Sequence, residues 1–226
     1  MKILYLAGGA STRWNNFMGC AKQELKICGE RIIDRLHRQF SAGFPSAKHY
    51  LITREVAMQE PDIHCYHLPA STVNWNTAKF LSSKALWQDA KEDVLFLYGD
   101  VFIMEKDARL IVRLVNLSKG RDIVWFGNKS EGEMLAVYVP APWIERFRRI
   151  VTKLLEAEYR GETMGGGWRA CRLACGLPAE SDDILNIPDD SPNFANLSGL
   201  SRDFDSPEDL VRWLLIIAQM QLRCAE

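Results

Sequence analysis

Residues 2–13 read KILYLAGGASTR. The apolar run from Lys2 to Ala7 stops at the adjacent Gly8 and Gly9, which reads as a buried strand ending in a turn. Glycine reaches positive φ and carries no Cβ, so backbone N–H groups behind such a strand can come close to a ligand. Arg13 adds a planar fork of donors suited to phosphate oxygens. Lys22 adds a mobile positive charge nine residues later. The loop lacks the GK[ST] ending of a P-loop and the GxGxxG dinucleotide fingerprint. A tight strand-to-helix turn with a surface arginine would use the same residues, and the loop alone leaves both readings open.

Outward from that strand, apolar runs alternate with helical spacing. Strands are expected at His49–Thr53, Ile63–Leu68, Asp93–Tyr98, Asp122–Phe126 and Leu135–Val139. Helices are expected over Gln23–Phe40, Thr77–Ala90, Asp107–Leu117 and Pro142–Glu158. A last helix starts at Ser206-Pro207, with Ser206 as N-cap and Glu208 and Asp209 suiting the positive helix end. In it, Trp213, Leu214, Ile217 and Met220 read as the packing stripe. This alternation predicts an α/β fold with a mostly parallel sheet. Residues 161–202, with GGG at 165–167 and several prolines and aspartates, read as loops over a sheet edge within a single domain of 226 residues. The GGG run is either a mobile loop over a pocket or a plain flexible turn.

Hydrophobic residues make up 47% of the chain, enough for a real core, and the formal net charge is -1. No global basic excess draws it to nucleic acid or an anionic membrane, so any bound anion is held by a local site. The six cysteines are scattered without a CxxC pair and read as reduced thiols, not zinc ligands. The opening MKILYLAGG carries one lysine and too short an apolar run for a secretory leader, and no segment is long enough to span a bilayer. The expectation is a cytoplasmic protein that binds neither nucleic acid nor membrane; a homo-oligomer is compatible with the sequence.

Leu97-Tyr98-Gly99-Asp100 ends an apolar strand with an acid, the position where open α/β sheets gather their ligands. A carboxylate there repels a polyphosphate unless a cation intervenes, and Mg2+ takes one or two carboxylates together with phosphate oxygens. Asp203 and Asp205, two residues apart on an extended segment, fall on the same side, with Phe204 turned to the core. Each of these aspartates also fits a simpler role capping the segment that follows it.

Leu6, Gly8, Gly9, Ser11, Arg13, Lys22, Leu25 and Gly29, in that order, resemble the opening of the nucleotidyltransferases with a GT-A-like Rossmann fold. Asp203-Phe204-Asp205-Ser206-Pro207-Glu208-Asp209-Leu210 resembles the D-[IF]-D-[ST]-P-E-D-L element near the end of many of them. Ser11 stands where glycine is commoner, and Ala21 where proline often precedes the lysine. The resemblance is thin between Gly127 and Ser201. It implies a Rossmann-like three-layer αβα architecture and transfer of a nucleotidyl group from a nucleoside triphosphate to a phosphorylated small molecule, with pyrophosphate leaving. It implies that Leu6, Ala7, Gly8, Gly9 and Ser11 wrap the triphosphate, that Arg13 holds the leaving pyrophosphate, and that Lys22 bridges phosphates in the transition state. Asn76 and Thr77 match the segment that meets the nucleobase, though a plain helix cap accounts for them as well. Asp100, Asp205 and Asp203 become the magnesium ligands. Leu135–Tyr138 matches a strand lining the acceptor pocket, and Lys129 is the nearest stand-in for a second lysine that sugar-phosphate members carry. Two other classes share the fold: a GT-A glycosyltransferase using a nucleotide sugar, and a nucleotide-binding regulator without chemistry.

Overall fold

The structure is a computed structural model that describes residues 1–8, 14, 17–54, 62–68, 77–89, 91–179, 186–188, 190–197 and 200–223, the last four by their backbone alone. In chain order the elements are β1 (Lys2–Leu6), β2 (Lys26–Ile27), β3 (Glu30–Arg31), α1 (Ile32–Gly43), β4 (Lys48–Thr53), β5 (His64–His67), α2 (Ala78–Ser82), α3 (Lys84–Trp87) and β6 (Val94–Tyr98). They continue with β7 (Val101–Phe102), α4 (Glu105–Leu117), β8 (Val124–Asn128), β9 (Glu133–Val139), α5 (Ile144–Tyr159), α6 (Gly167–Ala174), β10 (Phe194–Asn196), β11 (Arg202–Asp203) and α7 (Pro207–Arg223).

Seven strands form one sheet in the order β10-β8-β9-β6-β1-β4-β5. β1 pairs in parallel with β4 and with β6, as does β4 with β5 and β10 with β8; β9 alone runs antiparallel to its neighbours β6 and β8. The central strands β1, β6 and β9 are buried almost throughout, as helices on both faces of a parallel sheet require. On the helical side α1 packs with α4, and α5 packs with α2 and α6. The expected α/β architecture with a mostly parallel sheet is the observed one. No described helix is long and apolar enough to cross a membrane.

Several boundaries differ from the sequence reading for local reasons. The stretch expected as helix from Gln23 is a 3-10 turn at Lys22–Glu24 followed by the β2–β3 hairpin, and helix begins only at Ile32. The cause is the Cys28-Gly29 turn, where φ is 54° and 82°, left-handed values that no helix continues through. The helix expected over Thr77–Ala90 breaks at Ser83, whose hydroxyl donates to the Phe80 carbonyl at 3.0 Å. Residues 161–202 are not loops alone. Trp168, Cys171 and Ala174 give α6 a buried stripe, and β10 extends the sheet beside β8, Phe194 opposite Trp125. In α7 the inward residues are Leu210, Trp213 and Ile217, whereas Leu214 is 45% exposed.

Candidate active site

β4 and β5 lie to one side of β1, and β6 lies to the other. The sheet order reverses at the β1–β6 seam, and the crevice outside the carboxyl ends of strands at such a seam is where open α/β sheets bind ligands. Leu6 and Tyr98 are register partners there, so Gly8 and Asp100 emerge at the same edge. Gly99 makes the close approach possible: its N–H donates to the Leu6 carbonyl at 3.0 Å, and a Cβ on it would lie 3.0 Å from the Ala7 Cβ.

Asp203 reaches the same edge by strand pairing. β11 runs antiparallel to β7, which directly follows Asp100, and Asp203 is the register partner of Val101. Phe204 is buried and packs on Trp213 at 5.4 Å between ring centroids, so Asp205 turns back to the side of Asp203. Ser201 pins the approach: its hydroxyl donates to Asp107 at 2.5 Å and accepts the Met104 N–H at 2.8 Å. At the other end Ser206 and Asp209 cap α7 reciprocally, with the Ser206 N–H donating to the Asp209 carboxylate at 3.0 Å and the Asp209 N–H to the Ser206 hydroxyl at 3.3 Å. Capping is therefore done by Ser206 and leaves Asp203 and Asp205 for other work.

The buried Lys22 ammonium stands at the centre of these acids. Its Nζ lies 2.8 Å from Asp203 Oδ1, 3.2 Å from Asp100 Oδ2 and 3.5 Å from Asp205 Oδ1. Gln23, the next residue, donates its side-chain amide to the Ala7 carbonyl at 2.7 Å and so ties the lysine turn to the end of β1. One ammonium does not balance this much negative charge. Burial, then the neighbouring Asp100 carboxylate, push the Asp203 carboxyl up to about 7 despite Lys22. Burial also acts to raise Asp100, but the Lys22 and Lys79 charges outweigh it and hold that carboxyl below its usual range. Burial works against the charge on Lys22 too, and Asp100, Asp203 and Asp205 together overcome it, holding the ammonium protonated far above neutrality.

Two further groups face this cluster, and neither was singled out from the sequence. Glu133, first residue of β9, is pushed up to about 8 by burial and then by Asp203 and Asp205. Lys79 lies on α2 with its Nζ 5.0 Å from the Tyr98 ring centroid, and its charge acts on Asp100. The one available signal for Lys79 was its place two residues behind Thr77.

Of the remaining expected residues, Leu6 and Ala7 are buried at the end of β1, and Ala7 offers its carbonyl to Gln23. Gly9, Ser11, Arg13 and Asn76 lie outside the described residues. Thr77 is fully buried; its N–H donates to Glu158 at 3.2 Å and its hydroxyl oxygen accepts the Gly166 N–H at 3.2 Å. It joins the start of α2 to the start of α6. The glycines of that junction are there for space, not for mobility: a Cβ on Gly165 would sit 2.6 Å from the Thr77 hydroxyl, and one on Gly167 would overlap the Tyr98 hydroxyl. Lys129 is directed elsewhere, donating to the Ile187 carbonyl with its Nζ 5.4 Å from the Phe194 ring centroid.

No ready-made group of three or more His, Cys, Asp or Glu side chains placed around a common metal position occurs among the described residues; the lysine occupies that position. The donor set nonetheless fits a hard divalent cation. All four acids offer carboxylate oxygens, the ligands Mg2+ prefers, and Asp100 Oδ1 is buried without a hydrogen-bond partner.

No protein-family model matches the chain, and no relative is found among curated proteins. Solved structures do match. The CTP:phosphocholine cytidylyltransferase from Streptococcus pneumoniae aligns with a TM-score of 0.54 at 13% identity, over 96% of this chain and 98% of that one. A UDP-glucose pyrophosphorylase complexed with UDP-glucose aligns with a TM-score of 0.58 at 10% identity, over 97% and 98%. Molybdopterin-guanine dinucleotide biosynthesis protein A from Archaeoglobus fulgidus aligns with a TM-score of 0.52 at 15% identity, over 97% and 100%. At these identities the likeness is one of fold: the chain shares its Rossmann-like fold with these proteins over 96–97% of its length.

Proposed function

We propose that this protein transfers a nucleotidyl group from a nucleoside triphosphate to a phosphorylated small molecule, a sugar phosphate or a phosphoalcohol such as phosphocholine. The observation that carries the reading is the meeting of Asp100, Asp203, Asp205 and Lys22 at the β1–β6 seam. That charge pattern suits a polyphosphate bound with a divalent cation, and the names of the fold neighbours support this reaction type.

In the reaction an acceptor phosphate oxygen attacks the α-phosphorus, a new P–O bond forms, and the bond to pyrophosphate breaks. No side chain needs to act as a nucleophile; the protein contributes positioning and charge. Asp100, Asp203 and Asp205 would hold Mg2+, which neutralises charge building on the α-phosphate. Behind Leu6 and Ala7, whose backbone is held by the sheet, Gly8, Gly9 and Ser11 would offer N–H groups to the triphosphate, with Arg13 on the departing pyrophosphate and Lys22 turning from the acids to the phosphates. Asn76 and Thr77 are proposed to meet the nucleobase.

The test is pyrophosphate release by the purified protein with Mg2+, each of the four common triphosphates, and a panel of sugar phosphates and phosphocholine. Release that depends on one acceptor supports the proposal. Consumption of a nucleotide sugar without pyrophosphate would instead assign glycosyl transfer, and triphosphate binding without any product would overturn enzymatic activity.

A further inference from the structure

We propose that Lys22 is a built-in counter-ion: it fills the cation seat of the ligand-free protein and moves to the polyphosphate when a divalent cation takes that seat. The inference rests on the nucleotidyl-transfer reading and adds to it a coupling between metal and nucleotide.

Three observations carry it. First, the Nζ lies within 3.5 Å of carboxylates supplied by three separate points of the chain, Asp100, Asp203 and Asp205. The head donates a hydrogen bond to Asp203 and lies at ion-pair distance from Asp100 and Asp205, so it is already engaged by the acids. Lys22 cannot serve a polyphosphate from this position. Second, the seat is under-neutralised. Asp100 Oδ1 is buried without a hydrogen-bond partner, and Glu133 adds a further acid from β9 beside Asp203 and Asp205, which the Arg202 and Lys22 charges offset only in part. A doubly charged ion satisfies this arrangement better than a single ammonium does. Third, the backbone of the lysine is fixed at a point beside the glycine loop. Gln23 anchors the turn to the Ala7 carbonyl at 2.7 Å, at the point where the glycine loop leaves β1. The four-carbon stem of a lysine turns on such a pivot without moving the chain.

A metal crowded onto the same carboxylate oxygens as the ammonium is repelled by it at contact distance, and the exchange relieves that repulsion. A metal that enters alone must therefore expel Lys22 with nothing to receive it. A metal that enters with a polyphosphate hands the lysine a new partner. Binding of the two is then cooperative, and by linkage each tightens the other by the same factor. The exchange also keeps the three aspartates gathered around one cation while the site waits.

The experiment measures Mn2+ binding at pH 8 by the loss of its free electron-paramagnetic-resonance signal, with no nucleotide present. Wild type, Lys22→Met and Lys22→Arg are compared. Removal of the competing charge makes Lys22→Met bind Mn2+ about tenfold tighter or more, while Lys22→Arg, which keeps a charge in the seat, stays weak. A second measurement needs no variant. Trace labelling of the wild type with acetic anhydride, read by peptide mass spectrometry, gives the reactivity of Lys22 relative to the exposed Lys48. Saturating Mn2+ raises that ratio several-fold, since the expelled ammonium reaches solvent. Equal Mn2+ affinity in all three proteins, or a Lys22 ratio unchanged at Mn2+ saturation, overturns the exchange and leaves the metal site standing. Absence of Mn2+ binding in all three removes the metal-dependent reading together with the exchange.

Discussion

Replacement of Glu133 by Gln tests the charge crowding directly. Glu133 has its carboxyl raised from 4.5 to about 8 by burial and by Asp203 and Asp205. A raised acid binds its proton more tightly in the folded state than in the unfolded one. Its contribution to stability is complete below pH 4.5 and is lost as pH rises through 8. At 1.36 kcal/mol per pH unit, the cost reaches about 3 kcal/mol at pH 7 and about 5 kcal/mol above pH 8; solvent entry and relaxation make these upper values. Glutamine has nearly the same shape and no proton to lose. Glu133→Gln is therefore expected to match wild type at pH 4.5 and to exceed it progressively above pH 5. At pH 7 the gain is at most a rise of about 6–12 °C in melting temperature, at 2–4 °C per kcal/mol for a chain of this size. Urea unfolding at pH 4.5, 6, 7 and 8.5 reads the difference. A difference that does not change with pH would mean that the carboxyl is not crowded in the folded protein, and the electrostatic account of the site would be wrong.

Three other outcomes follow from the same geometry. Asp100→Asn lowers turnover in the pyrophosphate-release assay roughly 100-fold or more, because the buried orphan oxygen and the pairing to Lys22 are altered together; unchanged turnover with Mg2+ present would take Asp100 out of the site. Gly167→Ala costs about 1–3 kcal/mol because its Cβ meets the Tyr98 hydroxyl and Met134, and adding Tyr98→Phe recovers part of the loss; a double-mutant cycle without coupling refutes the packing claim. Among the described cysteines, Cys175 is the thiol that iodoacetamide alkylates fastest near pH 6, since the hydrogen bond from Cys171, with Ser191 and the Arg146 and Arg172 charges, outweighs burial and lowers it to about 6; peptide mapping that finds Cys28 labelled before it at that pH would contradict it.

Much of the sheet could be read from the chain because buried parallel strands are short continuous apolar runs with glycine or acid at their ends, as in Leu4–Gly8 and Leu95–Asp100. The β2–β3 hairpin could not, since apolar spacing continues across Cys28-Gly29 and only their positive φ breaks it. α6 was hidden behind Gly165–Gly167, which looks like flexible chain until Thr77 and Glu158 are seen to leave no room for a Cβ on Gly165, and Tyr98 none on Gly167. The acids at Asp100, Asp203 and Asp205 stood out by their position at strand ends. That they close on Lys22 depends on the β7–β11 pairing, two residues on each strand, too short to leave a pattern. Glu133 gave no signal and Lys79 only its place behind Thr77, because an acid opening a strand and a lysine on a short helix are ordinary surface residues until the tertiary structure brings them to the seam.

The account rests on a cation held by acids from distant parts of the chain, and anomalous diffraction at the manganese edge tests it most directly. Crystals are grown with Mn2+ and a non-hydrolysable triphosphate. A single strong peak about 2–2.5 Å from oxygens of Asp100 and Asp205, with Lys22 drawn off to the phosphates, is the predicted result. Triphosphate bound at the β1–β6 seam with no peak among these carboxylates, and Lys22 still between them, would contradict it.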